Sequence, residues 1–505
     1  MVYCFMSGCP LPGCRSEMLP KLNMRLFFLN ITMVLLGWTI AMADTDPAWE
    51  RPKPISRARW SEDWAIPRDP APLRDIPAPT PDDFWRPIKY IPLNDSGDRY
   101  LSFGGEYRLA YEMYDEADMG ISDIGRQDAV LHRLALHADF HLNRKWRVFG
   151  QLGYAAVNDR DGGEKATDET QIDVWQLFID RRFSVRNNER FVLRIGRQII
   201  ETANVFITAG EANNVRLYYN GVRTAWLTED FIPFEAFAAE YVDYEYDSFG
   251  MSGTDEYFWG FRTGMRVQQP DFDLHFLYLG WDLKDRQFEQ GGAGRHDEQR
   301  HSLVFWFNRP LTNARQWSLD YYLAYQFGKY EDQPGDSDIS AFAGFGEVKY
   351  AFFREASTPI VGLKTAYYSG DSDSDDDELN TFYDHVSATP FFGYARDIQP
   401  FNLIFIQPNV GYRFGEQISV TLSHGFHWRA ETDDGYYGSP NGITARAGAS
   451  DSSWLGHQTQ LSVRYRANPN LLMSSYLARF FSGDMIEDAG GSDRDYFRIN
   501  IHYLF

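Results

Sequence analysis

The stretch "GDSDSDDDE" at residues 370–378 is the nearest approach to a metal motif in this 505-residue chain. Asp371, Asp373 and Asp375 fall at positions 1, 3 and 5 of a calcium loop, but the required glycine is Asp376 and the twelfth position is Phe382 instead of glutamate. A dedicated calcium hand is therefore excluded, and the three aspartates read as a solvated acidic loop, weak surface candidates for a divalent ion. His132, His137 and His141 share one segment without the two-apart spacing of a ligand pair. No zinc helix, phosphate loop, nucleophile elbow or dinucleotide fingerprint has the right spacing. Neither a catalytic residue nor a cofactor is expected.

The side chains placed to do something else are mostly basic. Arg108, Arg133, Arg147, Arg194, Arg262, Arg266, Lys349, Lys364, Arg429, Arg464 and Arg498 each fall on the polar row of a segment that alternates with period two. Glu106, Asp139, Asp180 and Glu347 share those rows as partners. Facing Arg or Lys toward lipid costs about 2 to 4 kcal/mol at mid-membrane, so the row is expected to line a lumen. Two outcomes stay open: the charges brace the wall by pairing, or an uncompensated basic subset makes an anion-selective constriction.

Those rows need strands to carry them. Eighteen alternating segments can be laid from Tyr100 to Phe505, most of them long enough to cross a bilayer when tilted. In "LSFGGEYRLA", Leu101, Phe103, Tyr107 and Leu109 oppose Ser102, Glu106 and Arg108. Compact turns such as "LNRK" (142–145), "LTED" (227–230), "QQPD" (268–271), "FGEQ" (414–417) and "ANPN" (467–470) alternate with long connections such as 114–128, 159–169, 200–214, 370–402 and 432–451. Eight short turns and nine long loops are what an eighteen-stranded barrel with both ends on one side requires. The expected fold is thus all-β, a transmembrane antiparallel up-and-down barrel with short periplasmic turns and long extracellular loops. Its interior is expected to be polar, hydrated or salt-bridged, and not a hydrophobic core.

The rest of the chain fits an exported barrel. Residues 1–43 read as an N-terminal extension and cleavable signal peptide, with an apolar stretch before Ala41-Met42-Ala43 and Met18 or Met24 as other starts. Residues 44–98 form a Pro-rich leader or plug, and 99–505 the barrel. Cys4, Cys9 and Cys14 all lie in the first segment, so a mature chain has no disulfide. Removing residues 1–43 takes away Arg15, Lys21, Arg25 and Glu17 and leaves 46 basic and 70 acidic residues, net −24, which argues against nucleic acid as a partner. The final "YFRINIHYLF" alternates to its last residue and is expected to pair with the first strand near Tyr100, closing the sheet.

In order along the chain, "DPAPLRDIPAPTPDDFWRPIKYIPLNDSGDRYLSFGGEYRLAYE", "VWQLFIDRRF", "LRIGRQ", "EANNVRLYYNGVR", "YYSGDSDSDDDELNTF", "FHWRAETDDGYY", "WLGHQTQLSVRY" and "FFSGDMI" resemble the alginate export family of outer-membrane barrels, over roughly residues 65–505. The resemblance implies export of alginate or a related acidic exopolysaccharide through a basic constriction. It carries over Asp180 of "FID", Arg197 of "GRQ" and Arg429 of "HWR"; Gln176 stands where the family has an acid, and strict alternation turns Arg197 toward lipid. The implied partners are the anionic polysaccharide, outer-membrane lipid and lipopolysaccharide, the barrel assembly machinery reading the C-terminal strand, and a periplasmic export scaffold. Uptake of small anionic solutes or sugars by a selective porin is the alternative, and a structural barrel closed by its leader a weaker one.

Overall fold

The structure is a computed structural model, and it describes residues 84–505 apart from 123, 159, 161–164, 166, 185–188, 202–212, 229–231, 244–252, 268–271, 312–314, 333–334, 385–390, 397, 439–441 and 469. The signal-peptide segment and residues 44–83 of the leader lie outside the described residues.

One sheet of twenty strands closes on itself. In chain order these are β1 (Ile91–Pro92), β2 (Tyr100–Tyr114), β3 (Gln127–His141), β4 (Trp146–Asn158), β5 (Thr170–Ser184), β6 (Arg190–Gln198), β7 (Tyr219–Leu227), β8 (Phe234–Val242), β9 (Gly253–Val267), β10 (Phe272–Arg286), β11 (His296–Arg309), β12 (Trp317–Tyr330), β13 (Ser337–Ala351), β14 (Thr358–Tyr368), β15 (Glu378–Leu379), β16 (Leu403–Phe414), β17 (Ile418–Trp428), β18 (Trp454–Arg466), β19 (Leu471–Ser482) and β20 (Arg494–Leu504). Without the two-residue β1 and β15, eighteen antiparallel strands make the barrel, β20 pairing with β2. The connections at one end span three to seven residues and those at the other six to thirty-four. Loop length is thus segregated as expected, although residues 331–336 make a loop shorter than the longest turn.

Side chains obey the alternation. Along β2, Ser102, Glu106, Arg108 and Glu112 are buried while Phe103 and Tyr107 on the other row are exposed. The exposed row of the whole barrel is apolar, with Leu136, Leu152, Ile195, Val222, Phe305, Val410 and Leu477 among it, as a lipid-facing surface requires.

The last strand closes on the first as expected, at a different place along it. β20 pairs with β2 from Glu106↔Leu504 to Tyr114↔Tyr496, and Gly105 and Phe505 exchange two further backbone hydrogen bonds of 2.8 and 2.9 Å. The chain therefore reaches Gly105 and not Tyr100. The edge left open on β2 is covered by the end of the leader: Ile91 and Pro92 pair with Leu101 and Tyr100, after a short helix over Arg86–Lys89. Trp85 packs on Phe505 at 4.7 Å between rings and its indole N–H donates to the Tyr503 hydroxyl at 2.8 Å.

The interior holds a second departure. Inward residues Phe258, Trp281, Tyr322, Phe345, Tyr368 and Phe405 belong to a large buried apolar cluster together with loop residues Tyr383, Phe392, Phe401, Tyr436, Tyr437 and Met485. The loop half of the interior is thus apolar. The cause is visible in β10, where Leu277, Leu279 and Trp281 point inward while Phe276 and Tyr278 occupy the outward row, so both faces of the strand are greasy.

Candidate functional site

The charged stretch of the inner wall on β2–β9 and β20 is built on shared acids. Glu106 holds Arg133 at 2.9 Å, Arg216 at 2.8 Å and His502 at 2.9 Å. Glu112 holds Arg498 at 2.8 Å and Arg160 at 3.3 Å. Asp139 holds Arg147 at 2.7 Å and His141 at 3.1 Å. Asp180 takes Arg194 through both oxygens, at 2.7 and 2.9 Å, and Arg147 at 3.3 Å. Glu235 is shared by Arg223 and Arg262. Arg147 serves two of these five acids, and together the five hold eight arginines, so this stretch of wall carries more cations than anions. Burying them costs several kcal/mol per ion before pairing recovers part of it, so the arrangement is poor evidence of stability and better evidence of a use.

Strand parity puts these groups in the lumen, and one bulge adjusts it. Gln151 pairs with Gln176 but Leu152 with Val174, leaving Trp175 as the extra residue of β5. Its indole lies where a side chain on Gly153 would sit, which is why glycine is needed there. Gln176, the residue standing in place of an acid, is buried and donates to the Gln151 amide oxygen at 2.9 Å while accepting from the Ile199 N–H at 3.2 Å. It is a neutral bridge between wall and loop.

Several arginines hold loops. Arg108 donates to the Asn213 carbonyl at 2.6 Å and the Asn214 side chain at 3.0 Å, and Arg133 reaches the same Asn213 carbonyl at 3.2 Å. Asn214 in turn donates to the carbonyls of His132, Ala156 and Asp168. Residues 213–218 are thereby tied to the inner wall, and Arg396 of the 369–402 loop donates to the Asn213 side chain.

Two residues carried over from the family resemblance are placed differently from what it implied. Arg197 pairs with Leu177 and Asn220 in a continuous register, so it stays on the outward row, bonded to the Asn220 side chain at 3.0 Å and the Val174 carbonyl at 2.9 Å. The alternation decides here. Arg429 is inward and buried, yet its guanidinium donates to the carbonyls of Thr432, Asp434, Ser450 and Ser452. It organises its own loop.

The turn half of the wall formed by β13, β14 and β16–β20 is different in kind. Lys349 pairs with Glu347 at 2.6 Å, and Lys364 is half-buried with its ammonium 3.0 Å from the Phe391 carbonyl. Arg464 and Arg466 are exposed on the inward row of β18. Sequence reading found the first of that pair and missed the second, whose signal was the same parity two residues on.

The aspartate-rich stretch is not simply a surface loop. Asp371 is 1% exposed and Asp434, from the loop after β17, is fully buried. Both Asp434 oxygens are doubly hydrogen-bonded, by the Asp371 N–H (3.0 Å), the Thr381 hydroxyl (2.7 Å), the Gly435 N–H (2.7 Å) and the Tyr437 hydroxyl (2.7 Å). One Asp371 oxygen accepts from the Asp373 N–H at 3.3 Å, and the other is buried without a hydrogen bond among the described residues. Burial first, and the neighbouring carboxylate second, push Asp371 up to about 7, and burial pushes Asp434 up to about 6. Asp373 and Asp375 lie on the rim of this clasp, and among the described residues no group of three acids, histidines or cysteines is arranged to hold a metal.

Comparison with known proteins agrees with this architecture. Residues 99–500 match the model of the alginate export family. The crystal structure of Acinetobacter baumannii OccAB1 superposes with a TM-score of 0.51 at 13% identity, covering 83% of this chain and 98% of that one. OccAB2 of the same organism gives 0.52 at 13% identity, over 80% and 98%. At that identity the likeness is one of fold. No curated protein matches the chain.

Proposed function

This chain belongs to the alginate export family, and from that premise we propose that it is an outer-membrane channel moving an anionic exopolysaccharide, alginate or a close relative, from the periplasm to the outside. The short-turn end then faces the periplasm and the long loops the exterior. One observation carries the reading: five acids of the inner wall between β2 and β8 are each shared by two or more bases, leaving that stretch of wall with net positive charge inside a chain whose mature part is net −24. A carboxylate-bearing polymer passing such a wall exchanges water for guanidinium forks, which match carboxylates geometrically. The barrel itself needs no energy source in this scheme.

Uptake of small anions or sugars is favoured by a different observation, the inward packing of loop residues such as Asn213 and Tyr383, which suits a narrow passage. In both readings the current should be carried by anions. In a planar bilayer under a potassium chloride gradient the reversal potential should have the sign of anion preference and move toward zero for Arg147→Gln/Arg262→Gln. A cation-preferring pore would sink the basic-wall reading.

A further inference from the structure

We propose that Arg464 and Arg466 form a capture site at the periplasmic mouth that takes carboxylate groups of the polymer before it reaches the loop-filled half of the interior. The proposal rests on the export reading given above. The two side chains stand at i and i+2 of β18, so they share the inward face about 6.6 Å apart along the strand. Both are exposed, and neither makes a side-chain hydrogen bond or ion pair with a described residue. This separates them from Arg133, Arg147, Arg194 and Arg498, whose forks already hold acids.

Their surroundings keep them open. The strand neighbours of Arg464 are Ser419 on β17 and Ser474 on β19, short side chains that neither cover nor neutralise it, and Leu472 stands beside Arg466. The acid nearest in the chain's turns is Glu416, next to Gln417, whose carbonyl accepts the Arg466 backbone N–H at 2.8 Å. Two like charges on one face repel each other, with Glu416 of the turn acting on Arg466, and an incoming carboxylate lowers that cost. Position adds the direction: β18 ends at Arg466, at the turn end, so these forks stand at the periplasmic rim of this wall, where Arg413 of β16, level with Arg464, is already taken up by the Ala356 and Glu355 carbonyls.

Full-length mature protein in detergent micelles and a fluorescently labelled alginate oligosaccharide give the test, with binding read by anisotropy and a labelled maltodextrin as the uncharged probe. The wild type should bind the alginate oligosaccharide in a salt-sensitive way and not the maltodextrin. Arg464→Gln/Arg466→Gln should weaken binding about tenfold, while Lys329→Gln, which removes an exposed charge at the opposite end, should leave it unchanged. Heat-modifiable gel mobility checks that each variant is a folded barrel. Wild-type binding that survives the double substitution overturns the capture site and leaves export standing. A wild type that does not bind the oligosaccharide overturns the cargo and the capture site together.

Discussion

Asp371 and Asp434 lie 63 residues apart in the chain and meet in one buried site, where the groups around them decide their charge. Arg429 donates to the Asp434 carbonyl, Arg300, itself paired with Glu298, donates to the Thr381 carbonyl, and Asp373 and Asp376 stand on the same loop as Asp371. Among the described residues no base pairs with the bare Asp371 oxygen, so the second negative charge is opposed. Both folded-state values stand above the ordinary aspartate range, about 7 and about 6, so the clasp is most stable in acid and loses that stability as pH rises through them. Backbone hydrogen exchange across residues 371–382 should be slower at about pH 5 than at about pH 8 after correction for intrinsic rates, and Asp371→Asn should reduce the difference to the part that Asp434 contributes. Equal protection in the wild type at both values would contradict the clasp. Alternation in the sequence was enough to place Arg133, Arg194 and Arg429 inward and to keep Arg197 outward. It gave no sign that Arg429 holds backbone carbonyls, because those come from a loop whose path has no period.

The seam between β2 and β20 is the element on which closure depends. Phe505 continues the ladder to Gly105 and packs on Trp85, while β1 covers the first two residues of β2. Deleting Phe505 removes two backbone hydrogen bonds and the ring under Trp85, so the fraction of heat-modifiable barrel in outer-membrane preparations should fall severalfold, with Trp85→Ala giving a smaller loss. Unaltered assembly of the Phe505 deletion would show that the seam is held elsewhere. The strands themselves were legible because each carries one apolar and one polar row, as in β2, but the filled loop half of the interior was not. The signal that was present lies in β10, where Phe276, Leu277, Tyr278 and Leu279 are apolar on both faces: a strand with no contrast between its rows borders protein on the inside as well as lipid outside. The leader's role at the seam escaped reading because a proline-rich stretch has no alternation from which a two-residue pairing could be found.

For the molecule as a whole, the inner surface falls into three zones: open bases at the turn end, shared acids along the wall of β2–β9 and β20, and an aromatic packing of loops at the far end. A polyanion entering from the periplasm would meet free forks on β18 and paired ones such as Arg147 and Arg194 at the same end, then loops pinned by Arg108, Arg133 and Arg396. That order suits outward passage of a carboxylated chain, since attraction begins where the polymer arrives. Removal of the gene from a polymer-producing host, with uronic acid measured in the medium and in the periplasm, puts this to the most direct trial. The account predicts that secreted polymer falls sharply, that uronic acid builds up or is degraded in the periplasm, and that a plasmid copy restores secretion; unchanged polymer in the medium with none retained inside would contradict it.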